Sequence, residues 1–119
     1  MPPRVLLGTL EPVVALGMSA VLAEEGIDVI GSEPRPGPLV LLAGRLRPDA
    51  VVLDLHTVRE LGDRLRAAAP EATLVFWARD EDVMEVVAPG ADESRRVLEP
   101  NPDELRSELM RSQVNRVER

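Results

Sequence analysis

A chain of 119 residues, 45% of them apolar, is long enough for one packed domain and too short for two. Its net charge of −7, with arginines scattered along the chain, lacks the basic stripe that nucleic-acid binding requires, and a single Phe and a single Trp cannot form a base-stacking platform. The absence of cysteine and lysine and the presence of one histidine, His56, exclude disulfides, thiol nucleophiles, thiolate or His-rich metal sites, Schiff-base chemistry and a P-loop lysine.

In chain order, Met1-Pro2-Pro3-Arg4 leads straight into a strand, Val5-Leu6-Leu7-Gly8, with no apolar signal segment before it. No apolar run of ~18 residues follows, so a soluble cytoplasmic protein is expected. Pro12 to Glu25 predicts a helix: Pro12 suits its first turn, Val13, Leu16, Met18, Val21 and Leu22 recur at helical spacing, and Gly26 stops it. Ile27 to Gly31 predicts a second strand. The Pro-rich stretch Glu33 to Pro38 predicts a rigid connection, and Leu39 to Leu46 a second helix ended by Pro48.

Ala50-Val51-Val52-Leu53 predicts a third strand, an unbroken apolar run of the kind buried on both faces in a parallel sheet, and it delivers Asp54 at its C-terminal end. Thr57 to Ala69 predicts a third helix. There Thr57-Val58-Arg59-Glu60 fits a capping box, and Pro70 ends the helix. Thr73 to Ala78 predicts a fourth strand, Glu81 to Ala88 a short helix stopped by Pro89-Gly90, and Arg96-Val97-Leu98 a fifth strand. The last helix opens at Asn101 or Pro102 and runs through Leu105, Leu109 and Met110 toward Val117. Five alternations of strand and helix predict an α/β fold: a flavodoxin-like five-stranded parallel sheet of order 2-1-3-4-5, with helices on both faces. In that order the turn after Gly8 lies beside Asp54, where open α/β sheets collect their ligands. The expected domain spans residues 4–112, with 113–119 a helical extension or frayed tail.

The joint order of Arg4-Val5-Leu6-Leu7, Glu11-Pro12, Leu46 to Leu55, Leu65 to Pro70, Gly90-Ala91-Asp92, Leu98-Glu99-Pro100 and Pro102 to Leu105 resembles the receiver domain of bacterial response regulators. The resemblance implies that Asp54 occupies the phosphoacceptor position. It also implies a Mg²⁺ site of oxygen ligands, built on two acidic residues after the first strand. Here those positions are Thr9 and Leu10, and the next residue is Glu11. The hydroxyl residue that ends the family's fourth strand is replaced by Trp77, and the lysine before the proline of its fifth strand by Glu99. His56 falls where the family uses a backbone carbonyl as metal ligand, and the loop that follows is shorter by ~4 residues, one helical turn.

Three readings of Asp54 stand at this stage: a phosphoacceptor, a ligand-binding acid, or a structural acid bonded to nearby backbone N–H groups or to Arg79. Phosphoryl transfer leans on a metal and on fixed cations, and their replacement favours the third. Trp77 is read as filling the phosphoryl site or as a half-buried rim residue, and His56 as an exposed loop residue. Asp80-Glu81-Asp82 is read as a helix start or an acidic docking face. The functional expectation is a stand-alone atypical receiver-like regulatory module: not an enzyme, without a cofactor, contacting a protein partner through its fourth helix, fifth strand and fifth helix. The alternative is a two-component receiver phosphorylated at Asp54 by a histidine kinase with Mg²⁺. Val114 and Val117 offer a homodimer contact through the last helix; neither nucleic acid nor membrane is expected as a partner.

Overall fold

A computed structural model describes residues 2–78, 81, 83–91, 93–98 and 101–117, with the side chains of 102 and 111–117 outside that description. The elements are β1 (Arg4–Gly8), α1 (Pro12–Glu24), β2 (Asp28–Glu33), α2 (Pro36–Leu46), β3 (Ala50–Asp54), α3 (Arg59–Ala68), β4 (Thr73–Ala78), β5 (Val83–Val87), β6 (Arg95–Leu98) and α4 (Pro102–Val117). They form one six-stranded sheet of order β2-β1-β3-β4-β5-β6. The first four strands are parallel, as their apolar runs predict. β5 runs against them, and β6, antiparallel to β5, runs with them again.

Strand alternation divides the core into two layers. Val5, Leu7, Ala50, Val52 and Val75 face α1 and α4, where they meet Leu22, Leu105 and Leu109. Leu6, Val51, Leu53 and Leu74 face α2 and α3, where they meet Leu39, Leu61 and Leu65. Each fully buried Val or Leu contributes about 1.5–3 kcal/mol over its exposed state, so a core with only Phe76 and Trp77 as half-buried rings at its margins still holds the sheet.

Several local expectations change. The Pro-rich link is partly helical, because Pro36 occupies the first turn of α2, where its missing N–H costs nothing. That helix ends with Arg47 in the left-handed region at φ 49°, a conformation usually left to glycine, just before Pro48. The segment expected as a helix over Glu81 to Ala88 contains β5 instead. Val83, Val86 and Val87 are β-branched and suit a pleated surface, and the alternating burial of Val83–Val87 has a period of two. β5 therefore stands where the helix was expected, between β4 and the expected fifth strand, which is β6; being antiparallel to β5, β6 runs in the same direction as β1 to β4, and the sheet is mixed rather than all-parallel.

At the far edge Arg95 reaches from β6 to the buried Glu108 of α4, a hydrogen-bonded ion pair that raises the guanidinium pKa above its ordinary value. Asn101 caps α4, its Oδ1 accepting the Glu104 N–H at 2.9 Å. The helix continues to Val117, so the expected boundary at 112 lies within it. Among the described residues no helix is long and apolar enough to cross a membrane.

Candidate functional site

The crevice forms where β1 and β3 end side by side. Gly8 closes β1, and a Cβ there would stand 2.4 Å from Leu39 Cδ2 and 3.0 Å from Leu53 Cδ2. Its absence lets α2 pack close against the strand end. Thr9 follows at φ 30°, an outlying conformation for a β-branched residue. Two contacts hold it there. Its Oγ1 accepts the Asp54 N–H at 3.3 Å and shares a hydrogen bond of 2.8 Å with Thr57 Oγ1. The turns after β1 and β3 are thereby pinned together.

Asp54 is half-buried at the end of β3. Its Oδ1 accepts the His56 N–H at 2.8 Å, and its carbonyl accepts the Thr57 N–H at 3.0 Å. This is the self-bonded turn that Asp forms readily. The Leu55 N–H donates to the Trp77 carbonyl at 2.9 Å and extends the β3–β4 pairing past Asp54.

The other sequence-predicted residues separate. Leu10 turns inward and is 6% exposed, packed in the layer under α1 and α4. Glu11 is exposed and precedes α1, where its carbonyl accepts the Ala15 N–H at 2.9 Å while its carboxylate makes no capping bond. His56 is exposed, with Nε2 3.8 Å from Glu81 Oε2, a separation at which a surface pair contributes little. Trp77 is the register partner of Asp54. Its half-buried ring leans on the α1/α4 layer and lines an open apolar groove of about 330 Å³ beside Val13, Val14, Met18, Val21 and Leu105. Glu99, like Arg79, Asp80, Asp82 and Asp92, lies outside the described residues.

Thr57 corrects the expected capping box. The N-cap of α3 is Val58, with no side-chain cap, because the Thr57 hydroxyl turns to Thr9. Losing that partner by Thr57→Val is expected to cost about 0.5–1.5 kcal/mol. A Thr9→Val, Thr57→Val double-mutant cycle followed by urea denaturation should show coupling of similar size, because the two hydroxyls touch each other.

A receiver-type Mg²⁺ site does not fit the described residues. Mg²⁺ demands near-octahedral oxygen ligation. The Leu10 side chain supplies no oxygen, the Thr9 hydroxyl is engaged twice, and Glu11 is exposed at the start of α1. Among the described residues no group of three His, Asp or Glu gathers to hold a metal. None of the described side chains in the crevice is a cation that could meet the charge of a transferring phosphoryl group. The crevice holds its own turns together.

The topology and the placement of Asp54 define the fold class as receiver-like α/β. No protein-family model matches the chain, and no curated protein matches its sequence. Its structure is similar to that of a variant of the anti-anti-sigma factor PhyR from Bartonella quintana, with a TM-score of 0.62 and 15% identity over 99% of this chain and 50% of that one. It is also similar to PhyR co-crystallised with the anti-sigma factor NepR from the same organism, with a TM-score of 0.54 and 14% identity over 96% of this chain and 48% of that one. The chain thus spans about half the length of these neighbours. At such identity the likeness establishes the fold alone.

Proposed function

We propose that this chain is a cytoplasmic receiver-like regulatory module that acts by contacting another protein and does not depend on phosphorylation of Asp54. One observation carries the reading: the residue at the second acidic position, Leu10, is core, and the one at the first, Thr9, spends its hydroxyl on Thr57 and the Asp54 N–H. The rebuilt crevice stabilises one arrangement of the β1 and β3 turns instead of cycling charge. The solved PhyR–NepR complex supports a protein partner for a fold of this shape. The contact surface expected from the receiver resemblance changes in kind, since β5 stands where its fourth helix was expected.

Incubation with a small phosphodonor and Mg²⁺, read by intact mass, tests the proposal. The expected spectrum contains no phosphate adduct. A stoichiometric adduct that Asp54→Asn abolishes would overturn it and install the alternative, a receiver phosphorylated by a histidine kinase.

A further inference from the structure

At the start of β3, the end of the sheet opposite Asp54, a cavity of about 210 Å³ lies between the C-terminal ends of α2 and α3. Pro48, Ala69 and Ala72 give it buried apolar walls. Arg47 and Glu71, both exposed, are the charged side chains that line it.

Arg47 is the anomaly. It ends α2 in the left-handed region, at φ 49° and ψ 62°, where glycine would sit without strain. Strain of that kind clusters at ligand sites. Its amide donates to the Ala43 carbonyl at 3.0 Å, and its carbonyl accepts Arg4 Nη1 at 3.2 Å. Both bonds belong to the backbone, and a glycine would keep them. The guanidinium makes no hydrogen bond or ion pair with a described residue. No contact among the described residues therefore calls for arginine at this position.

The helix ends supply the opposite charge. The C-cap residues of α2 and α3, Arg47 and Ala69, both line the cavity, and each is followed by a proline, Pro48 or Pro70. A helix C-terminus leaves carbonyls unanswered, and the N–H of the residue after the cap ordinarily meets one of them. Proline has no N–H to give. The partial negative charge of both helix ends is thus left at the cavity, beside the Glu71 carboxylate. Gly44 leaves the gap between the helices unfilled: a Cβ built on it would stand 3.7 Å from the Ala68 carbonyl oxygen.

We propose that this cavity binds a free α-amino acid with a small aliphatic side chain. The charges fit a zwitterion and neither ion alone. Arg47 offers its planar fork to the carboxylate. The helix carbonyl ends and Glu71 receive the ammonium, and the alanine and proline walls take the side chain. A simple carboxylate would meet Arg47 but oppose two helix C-termini and Glu71. A simple amine would suit those groups and oppose Arg47. The cavity is smaller than the ~300–1,000 Å³ of drug-sized sites, which restricts it to ligands of few heavy atoms. Few atoms give modest affinity, so dissociation at about 0.1–10 mM is expected. The inference does not rest on the proposed function, since the cavity and Asp54 lie at opposite ends of β3.

Amide chemical shifts of the whole chain, titrated with L-valine to about 50 mM to cover weak affinities, test the proposal. Saturable shifts are expected at residues 44–48 and 68–72. Isovalerate lacks the amine and isobutylamine lacks the carboxylate, and each should bind at least tenfold more weakly than L-valine. Glu71→Gln should weaken L-valine at least tenfold. Arg47→Gly should do the same while melting at or slightly above the parent temperature, because glycine relieves the left-handed backbone. Lost binding without lost melting temperature separates a missing contact from a missing fold. Three results would each overturn the inference: no saturable shift at those residues, either analogue binding as tightly as L-valine, or an unchanged L-valine affinity in Arg47→Gly.

Discussion

Leu10→Asp, which puts an acid where the receiver resemblance expects the second of its acidic pair, is expected to destabilise the domain by about 3–5 kcal/mol rather than to create a metal site. Leu10 is 6% exposed and packed with Leu7, Ala15 and Leu105. A carboxylate there loses its hydration and, among those neighbours, gains no counter-charge. Against a total stability of about 5–15 kcal/mol for a domain of this size, the loss should move the urea midpoint far toward zero. Its pH dependence follows from the sign of the shift. Burial raises the folded-state pKa above the unfolded value of ~3.9. The charged folded state then carries the full penalty above that raised pKa, and the deficit shrinks as pH falls through it. A variant within about 1 kcal/mol of the parent at neutral pH would mean that position 10 opens to water and that the Mg²⁺ argument fails.

Leu53→Ala should cost about 3–5 kcal/mol by the transfer and cavity terms together. Leu53 is fully buried on the α2/α3 side of β3 and stands one residue before Asp54. The cavity would open beside Gly8, where Leu39 and Leu53 already converge. Guanidinium denaturation with an unchanged slope should show the loss as a lower midpoint. Leu16→Ala, on the 75% exposed face of α1, is the matched control, since the same side chain is removed from water. It should stay within about 0.5 kcal/mol of the parent. Equal losses at the two positions would contradict the burial assigned to each.

These contrasts show where pattern reading succeeds. β1, β3 and β4 were legible because strands buried on both faces require unbroken Val and Leu runs, and Val5-Leu6-Leu7, Ala50 to Leu53 and Thr73 to Ala78 are such runs. The segment at Val83–Val87 was open to a better reading, since three of its five residues are valine and Glu85 alternates with apolar neighbours. Pro89-Gly90 after it reads as a helix stop; the pairing of Leu74 with Val87 and of Ala78 with Val83 makes it a strand. Helical spacing on α1 predicts the helix and leaves its burial open. The spacing at Val13 and Leu16 says which residues share a side, and only the neighbouring elements say which side is covered.

The sequence by itself determined the α/β alternation, the placement of Asp54 at the end of β3 and the presence of Thr9, Leu10 and Trp77 at the positions that the receiver resemblance gives to its site residues. Each of these is a matter of residue type at a chain position, and local periodicity and spacing carry that. The tertiary structure alone decided that the Thr57 hydroxyl turns to Thr9 instead of capping α3, and that Leu10 packs inward. It also decided that Trp77 lines the α1/α4 groove and that β5 enters the sheet antiparallel between β4 and β6. Thr9 and Thr57 are 48 residues apart along the chain, and no local rule brings two hydroxyls together over that distance. Parallel packing of β1 against β3 does so, and with it joins the turn after β1 to the turn after β3.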